Sequence, residues 1–262
     1  MLGNALVINA DDFGLNDSVN MAIVQAFEKG YCSSCTIMPN MPGFEEACQL
    51  VRTHGLADHV GLHMVLTEGY PITEKLRIFR RFCAEDGRFQ LTRRQRIVRL
   101  TMKEREALRV EMKGQIAKCR AQGIPITHMD SHNHTHEEWA IAGVMIRVAQ
   151  EEGVPHVRRT RSFGSGMVRR IYRQMMDIRL CRAGLAKTDY FGVPPDYSLY
   201  LQRLGTCGKM TGSWELMVHP AFDNQGRLID SWLRELLDEV VQSIPGYYAA
   251  VSYTGHRYSP RG

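Results

Sequence analysis

A chain of 262 residues, 44% hydrophobic and 23% charged, has ordinary globular composition and enough apolar material for one large core. No apolar run approaches the roughly 20 residues that span a bilayer, and Met1 to Asn9 lacks the basic and apolar regions of a signal peptide, so a cytoplasmic protein without a transmembrane segment is expected. The net charge of +5 is modest, and without interleaved aromatics or a known module it makes no case for nucleic-acid binding.

In chain order, Ala5 to Ala10 reads as a buried strand that ends abruptly in Asp11 and Asp12. Asn16, Asp17 or Ser18 can cap a helix carried by Val19, Ala22, Ile23, Ala26 and Phe27 and closed by Gly30. Cys35 to Met38 is a second strand, Phe44 to Arg52 a helix, and Asp58 to Leu66 a third strand bearing His63. Residues 67–100, with Pro71 and basic pairs, suggest an excursion covering one face. A charged helix over Met102 to Gln122 precedes a strand ending at Asp130, a helix over Glu137 to Glu152 and a short strand over Val154 to Val157. Within 162–212 only a helix over Met167 to Arg182 is legible. Ser213 to His219 is a strand, Asp230 to Gln242 a helix and Tyr247 to Tyr253 a last strand.

This alternation predicts an α/β fold with a parallel sheet, open or closed into a barrel. Asp11/Asp12, His63, Asp130/His132 and His219 all fall at strand C-termini, the face on which α/β barrels collect their chemistry. That convergence favours a single domain over 1–262.

Seven cysteines, at 32, 35, 48, 83, 119, 181 and 207, are scattered as reduced thiols would be. Cys32-Ser-Ser-Cys35 has redox spacing but leads into a strand, so buried, inert thiols are the expectation. Eight arginines between Arg158 and Arg182 face one acid, Asp177. The plainest reading is a solvated helix face, with attraction to an anionic substrate or a peripheral membrane contact as the alternative.

The paired aspartates need different jobs, since adjacent strand residues point to opposite sides; an N-cap would absorb one of them only. His63 alone is weak, because a lone histidine in an apolar strand is more often a hydrogen-bonded core residue. The strongest signal is Thr127 to His136, which holds four of the chain's ten histidines within nine residues, with Asp130 among them. Neutral imidazoles coordinate divalent cations and nearby carboxylates orient the rings, whereas a polar surface loop is the blander alternative. Alternation brings two of His132, His134 and His136 to one side only if the chain is extended. His219 before Pro220 suits a general acid or base, or a structural role at a turn.

Taken together, NADDFG (9–14), GLH (61–63), THMDSHNHTH (127–136) and ELMVHP (215–220), in that order, resemble the YdjC-like carbohydrate deacetylases, which include chitooligosaccharide deacetylases. The resemblance implies a distorted (β/α) barrel related to the NodB-type polysaccharide deacetylases. It implies Asp12, His63 and His132 as ligands of one divalent cation, Mg²⁺ or Zn²⁺ with Mn²⁺ or Co²⁺ as alternatives. Asp11 becomes the general base, His219 the proton donor and Asp130 an outer partner. His134, His136, Arg159 and Glu215 become pocket residues, and 67–100 and 160–212, which match none of the family's motifs, become the segments that set specificity. The expected reaction is hydrolysis of an N-acetyl group on an amino sugar or oligosaccharide, releasing acetate. A metal-dependent phosphoesterase and an inactive carbohydrate-binding barrel are the alternatives. Homodimers are common among such barrels, which makes a homodimer a further expectation.

Overall fold

The computed structural model describes residues 5–92, 96–163, 166–204 and 212–258. Cys207 and parts of the two specificity segments lie outside the described residues. Seven parallel strands form the centre: β1 (Leu6–Phe13), β2 (Ser34–Ile37), β3 (Val60–Met64), β4 (His128–Ser131), β5 (His156–Val157), β6 (Tyr190–Gly192) and β7 (Trp214–Val218). Their spatial order, β5-β4-β3-β2-β1-β7-β6, is the chain order wrapped into a ring. The remaining gap is drawn together by a parallel bridge between His156 and Ala186, by the Val157 N–H on the Ala186 carbonyl at 3.0 Å and by the Ser162 N–H on the Phe191 carbonyl at 2.9 Å. Among the described residues β5 and β6 share no ladder with each other, and it is there that the barrel is distorted.

The helices are α1 (Asp17–Glu28), α2 (Phe44–Thr53), α3 (Glu74–Arg77), α4 (Met102–Ala121), α5 (Trp139–Glu152), α6 (Met167–Arg182), α7 (Pro194–Leu204) and α8 (Leu237–Gln242). Asn16 caps α1 through its side chain, and Thr101 with Glu104 forms a capping box on α4, so both start where local chemistry directs. Among the described residues no helix is long and apolar enough to cross a membrane. Cys32, Cys35, Cys48, Cys83 and Cys119 are free and buried, as the C-x-x-C reading expects, and burial pushes the Cys32 thiol well up.

Several expected elements differ. The third strand is shorter, because a 3-10 turn occupies Ala57–His59. The excursion at 67–100 contains α3 and buries Leu76, Phe82, Leu91 and Ile97, so it is packed rather than merely draped. Residues 160–212 include β6, a strand of the barrel itself. The helix expected from Asp230 begins only at Leu237. Before it, β8 (Pro220–Phe222), β9 (Leu228–Asp230) and β10 (Glu235–Leu236) form a small antiparallel sheet. Asp230 accounts for the change: its carboxylate accepts the N–H groups of His219, Trp232 and Leu233, which fixes a turn where a helix would start. The last expected strand is a 3-10 turn at Tyr247–Ala249, followed by a single bond from the Val251 N–H to the Leu6 carbonyl at 2.9 Å. β1 is already paired with β2 and β7 and has no free edge to offer.

Candidate active site

The C-terminal ends of β1, β3, β4, β5 and β7 meet in one pocket. β1 slips register between Ala10 and Phe13, and Asp12 has φ 72°, a left-handed conformation that non-glycine residues rarely adopt. This bulge corrects the expectation that neighbouring carboxylates diverge, since the break in the pleat lets both serve the same pocket. Asp11 is buried against the far wall, and Asp12 sits half-buried nearer the mouth.

Asp12 Oδ1 lies 3.1 Å from His63 Nε2 and 2.8 Å from His132 Nδ1, and the two rings meet edge to face at 5.4 Å. His63 Nδ1 is 2.7 Å from Asp130 Oδ1, while Asp130 Oδ2 accepts from Thr36 Oγ1 at 3.1 Å. With Nδ1 held by Asp130, Nε2 is the nitrogen turned towards Asp12. His132 Nε2 lies 3.3 Å from Glu68 Oε1, in the segment 67–100. Burial alone would raise the Asp12 carboxyl, but hydrogen bonds from His132 and His63 hold it well below its ordinary range.

Beside this trio stands Arg158, fully buried. Its Nη1 and Nη2 reach Asp11 at 2.8 and 2.7 Å, Nη1 also reaches Asp130 Oδ2 at 2.5 Å, and Nε reaches Glu215 Oε1 at 2.5 Å. Burial would raise the Asp11 carboxyl, yet the guanidinium holds it well below the usual carboxylate range. Glu215 goes the other way, pushed up to about 7 by burial in spite of Arg158. Asp11 Oδ1 also accepts from Asn9 Nδ2 at 2.8 Å, while Oδ2 faces His219 Nε2 at 4.0 Å.

The residues singled out from the sequence separate accordingly. Asp11, Asp12, His63, His132, Asp130, Glu215 and His219 come together. Asn133 and His134 have left-handed φ values of 55° and 54° inside a 3-10 segment, so the extended alternation imagined for this histidine run does not occur. His136 turns back onto Ser131 Oγ at 2.7 Å, and His134 packs edgewise on Phe191 at 5.9 Å, both beside the trio. Arg159 points away and pairs with Asp177 on α6. The buried arginine is Arg158, which the reading of 158–182 as a solvated face had hidden. The clue was its place after Val154 to Val157, at a strand tip like the other site residues. Thr36 and Glu68 were also missed, being polar residues with no motif of their own, and Asn9, the first residue of NADDFG, was given no role.

Asp12, His63 and His132 place one ligand atom each within 4.8 Å of one another. One carboxylate and two imidazoles suit a divalent cation with positions left open. Asp11, Asp130 and Glu215 surround one guanidinium and Asp12 lies between two imidazoles, a carboxylate-rich setting that such a cation suits. The residues fit a metal.

A family profile described as YdjC-like protein matches residues 5–244. A chitooligosaccharide deacetylase of Serratia marcescens is 31% identical over 254 residues, 95% of each chain. A carbohydrate deacetylase of Halalkalibacterium halodurans is 30% identical over 230 residues, 88% of each. One of Brevibacillus brevis is 37% identical over 150 residues, so this chain spans 57% of that relative's length. In three dimensions the fold matches an Enterococcus faecalis V583 protein named for cellobiose-phosphate cleavage, with a TM-score of 0.69 and 22% identity over 95% of this chain and 97% of that one. With its motifs, its barrel and its relatives in agreement, the chain belongs to the YdjC-like family.

Proposed function

We propose that this protein is a metal-dependent carbohydrate N-deacetylase, hydrolysing the acetamide of an amino sugar or oligosaccharide to release acetate. The observation that carries the proposal is the trio Asp12–His63–His132 set directly beside a carboxylate, Asp11, that Arg158 keeps ionised and oriented. Two relatives that align over most of their length are named as deacetylases, one for chitooligosaccharides, which supports a sugar amide as substrate.

Asp12, His63 and His132 would hold the cation, Mg²⁺ or Zn²⁺ with Mn²⁺ or Co²⁺ able to substitute. Bound there, it supplies Lewis acidity towards an amide carbonyl and lowers the pKa of water. Asp11 takes the proton of the attacking water at Oδ2, because Oδ1 already accepts from both Asn9 and Arg158. Arg158 fixes the plane of that carboxylate through two parallel bonds, so the base needs no reorientation. His219, 4.0 Å from Asp11 Oδ2 through Nε2, protonates the departing amine. Its backbone is held by Asp230 and followed by Pro220, which sets the imidazole at the pocket wall.

A phosphoesterase fits less well. The Arg158 donors are taken by Asp11, Asp130 and Glu215, and Arg159 is paired with Asp177, so neither arginine is available to a phosphate. The test is acetate release from N-acetylated chitooligosaccharides, with and without chelator, for the wild type and Asp11→Asn. Release that stops with chelator and falls at least about 100-fold in Asp11→Asn supports the reading. Full activity in the variant removes Asp11 as the base, and no acetate from any N-acetylated sugar removes the function.

A further inference from the structure

The helix α6 is anchored inward largely by polar side chains and turns most of its apolar side chains outward. Tyr172 Oη donates to the Glu137 carbonyl, Arg173 Nη1 to the Arg161 carbonyl at 3.2 Å, and Arg179 Nη1 to the Trp139 carbonyl at 2.8 Å, while Asp177 reaches Arg159 and Lys187. Met176 and Leu180 supply the buried apolar contacts. On the opposite side Met167, Val168, Ile171, Met175 and Ile178 recur at three- and four-residue spacing and are 45–82% exposed. The core of this chain makes no use of that stripe. Such a row on a soluble face is an interaction surface by default.

The charges around the row identify what covers it. Arg170 and Arg182 are exposed beside the row, and among the described residues neither has a carboxylate partner. The helix's only acid, Asp177, is spent inward. A second copy of the chain seated on this stripe would bring arginine against arginine with no acid to pair them. An anionic lipid surface offers both halves of the match, acyl boundary for the stripe and phosphate for the guanidinium groups.

We infer that α6 is an interfacial helix that docks this protein, peripherally and reversibly, on an anionic membrane. At about 1.5 Å per residue its 16 residues make a docking edge of about 24 Å. That edge is braced on Glu137, the last residue of the 3-10 segment that begins at His132. Docking thus anchors the helix against which the segment carrying His132 is braced.

The test is flotation of the full-length protein with vesicles of phosphatidylcholine alone or containing 30% phosphatidylglycerol, at low and high salt. Docking predicts flotation with the anionic vesicles that weakens at high salt, and at least a tenfold loss in Ile171→Glu/Met175→Glu. A second variant, Arg170→Glu/Arg182→Glu, leaves the apolar row intact and loses the preference for phosphatidylglycerol. Circular dichroism establishes that both variants fold. Absence of flotation with anionic vesicles overturns the proposal, as does flotation that either folded variant leaves unchanged. A dimer that dissociates in Ile171→Glu/Met175→Glu overturns it in favour of a second copy.

Discussion

Arg158 and Asp11 face each other through two parallel hydrogen bonds of 2.7 and 2.8 Å, and both side chains are almost wholly shielded from water. The same guanidinium bonds Asp130, which orients His63, and Glu215 on β7. One residue at the tip of β5 therefore ties together β1, β4 and β7.

Removing that tie strips three buried carboxylates of the cation they share. Arg158→Ala is expected to cost about 3–5 kcal/mol in urea unfolding, the range for breaking a buried ion pair from one side. Arg158→Lys keeps the charge but cannot make parallel bonds to Asp11 while also reaching Glu215, so about 1.5–3 kcal/mol is expected. An alanine variant within 1 kcal/mol of wild type would show that the arginine does not hold the site together.

The trio should hold the cation and Asp130 should tune it. His132→Ala is expected to lose metal, read by elemental analysis after gel filtration, whereas His134→Ala retains it. Asp130→Asn keeps the three ligands but weakens the hold on His63 Nδ1, lowering metal affinity about 10–100-fold. Stoichiometric metal in His132→Ala would move that ligand elsewhere in the histidine run.

Both outcomes bear on what a sequence shows. Strand tips were legible because a β-branched run that stops at Asp or His is a local pattern, and this placed Asp11, Asp12, His63, Asp130 and His219 around one pocket. The bulge at Asp12 and the left-handed turns at Asn133 and His134 were not legible, because no glycine marks either place. Arg158 was masked by seven further arginines up to Arg182, and only tertiary contact with Asp11, Asp130 and Glu215 tells it from a solvated one. The Asp230 turn was lost for a similar reason: its partners, the N–H groups of His219, Trp232 and Leu233, are chosen by the fold rather than by periodicity.

Acid should weaken the fold before the aspartates titrate. Burial, with Arg158 nearby, holds His128 well below its ordinary 6.5 and His136 at about 3. The unfolded chain takes up those protons below about pH 6.5 and the folded chain does not, so the stability they contribute is present above that pH and lost as pH falls. Each contributes about 1.4 kcal/mol per pH unit. Glu215, raised from 4.5 to about 7, acts in the opposite direction between those values and cancels about one histidine. The net expectation for chelated protein is a loss of at least about 1 kcal/mol per unit from pH 6 to 5, measured by urea unfolding. A midpoint that stays level over that range would mean that these histidines accept protons in the folded state.

The GLH run owes its glycine to the neighbouring strand. A Cβ on Gly61 would stand 2.5–2.6 Å from three ring atoms of His128, closer than any real contact allows. That ring cannot easily give way, since it stacks on Tyr253 at 4.0 Å and bonds Thr127 Oγ1 at 2.8 Å and Asn9 Oδ1 at 3.1 Å. Asn9 in turn donates to Asp11 Oδ1 at 2.8 Å, so displacement of His128 passes to the base within two contacts. Gly61→Ala is expected to cost about 1–3 kcal/mol, as overpacking of a filled core does, and to lower turnover as well. Pairing it with His128→Ser frees the space, and the double variant should be more stable than the sum of the two single losses. Strict additivity would place the strain somewhere other than this ring.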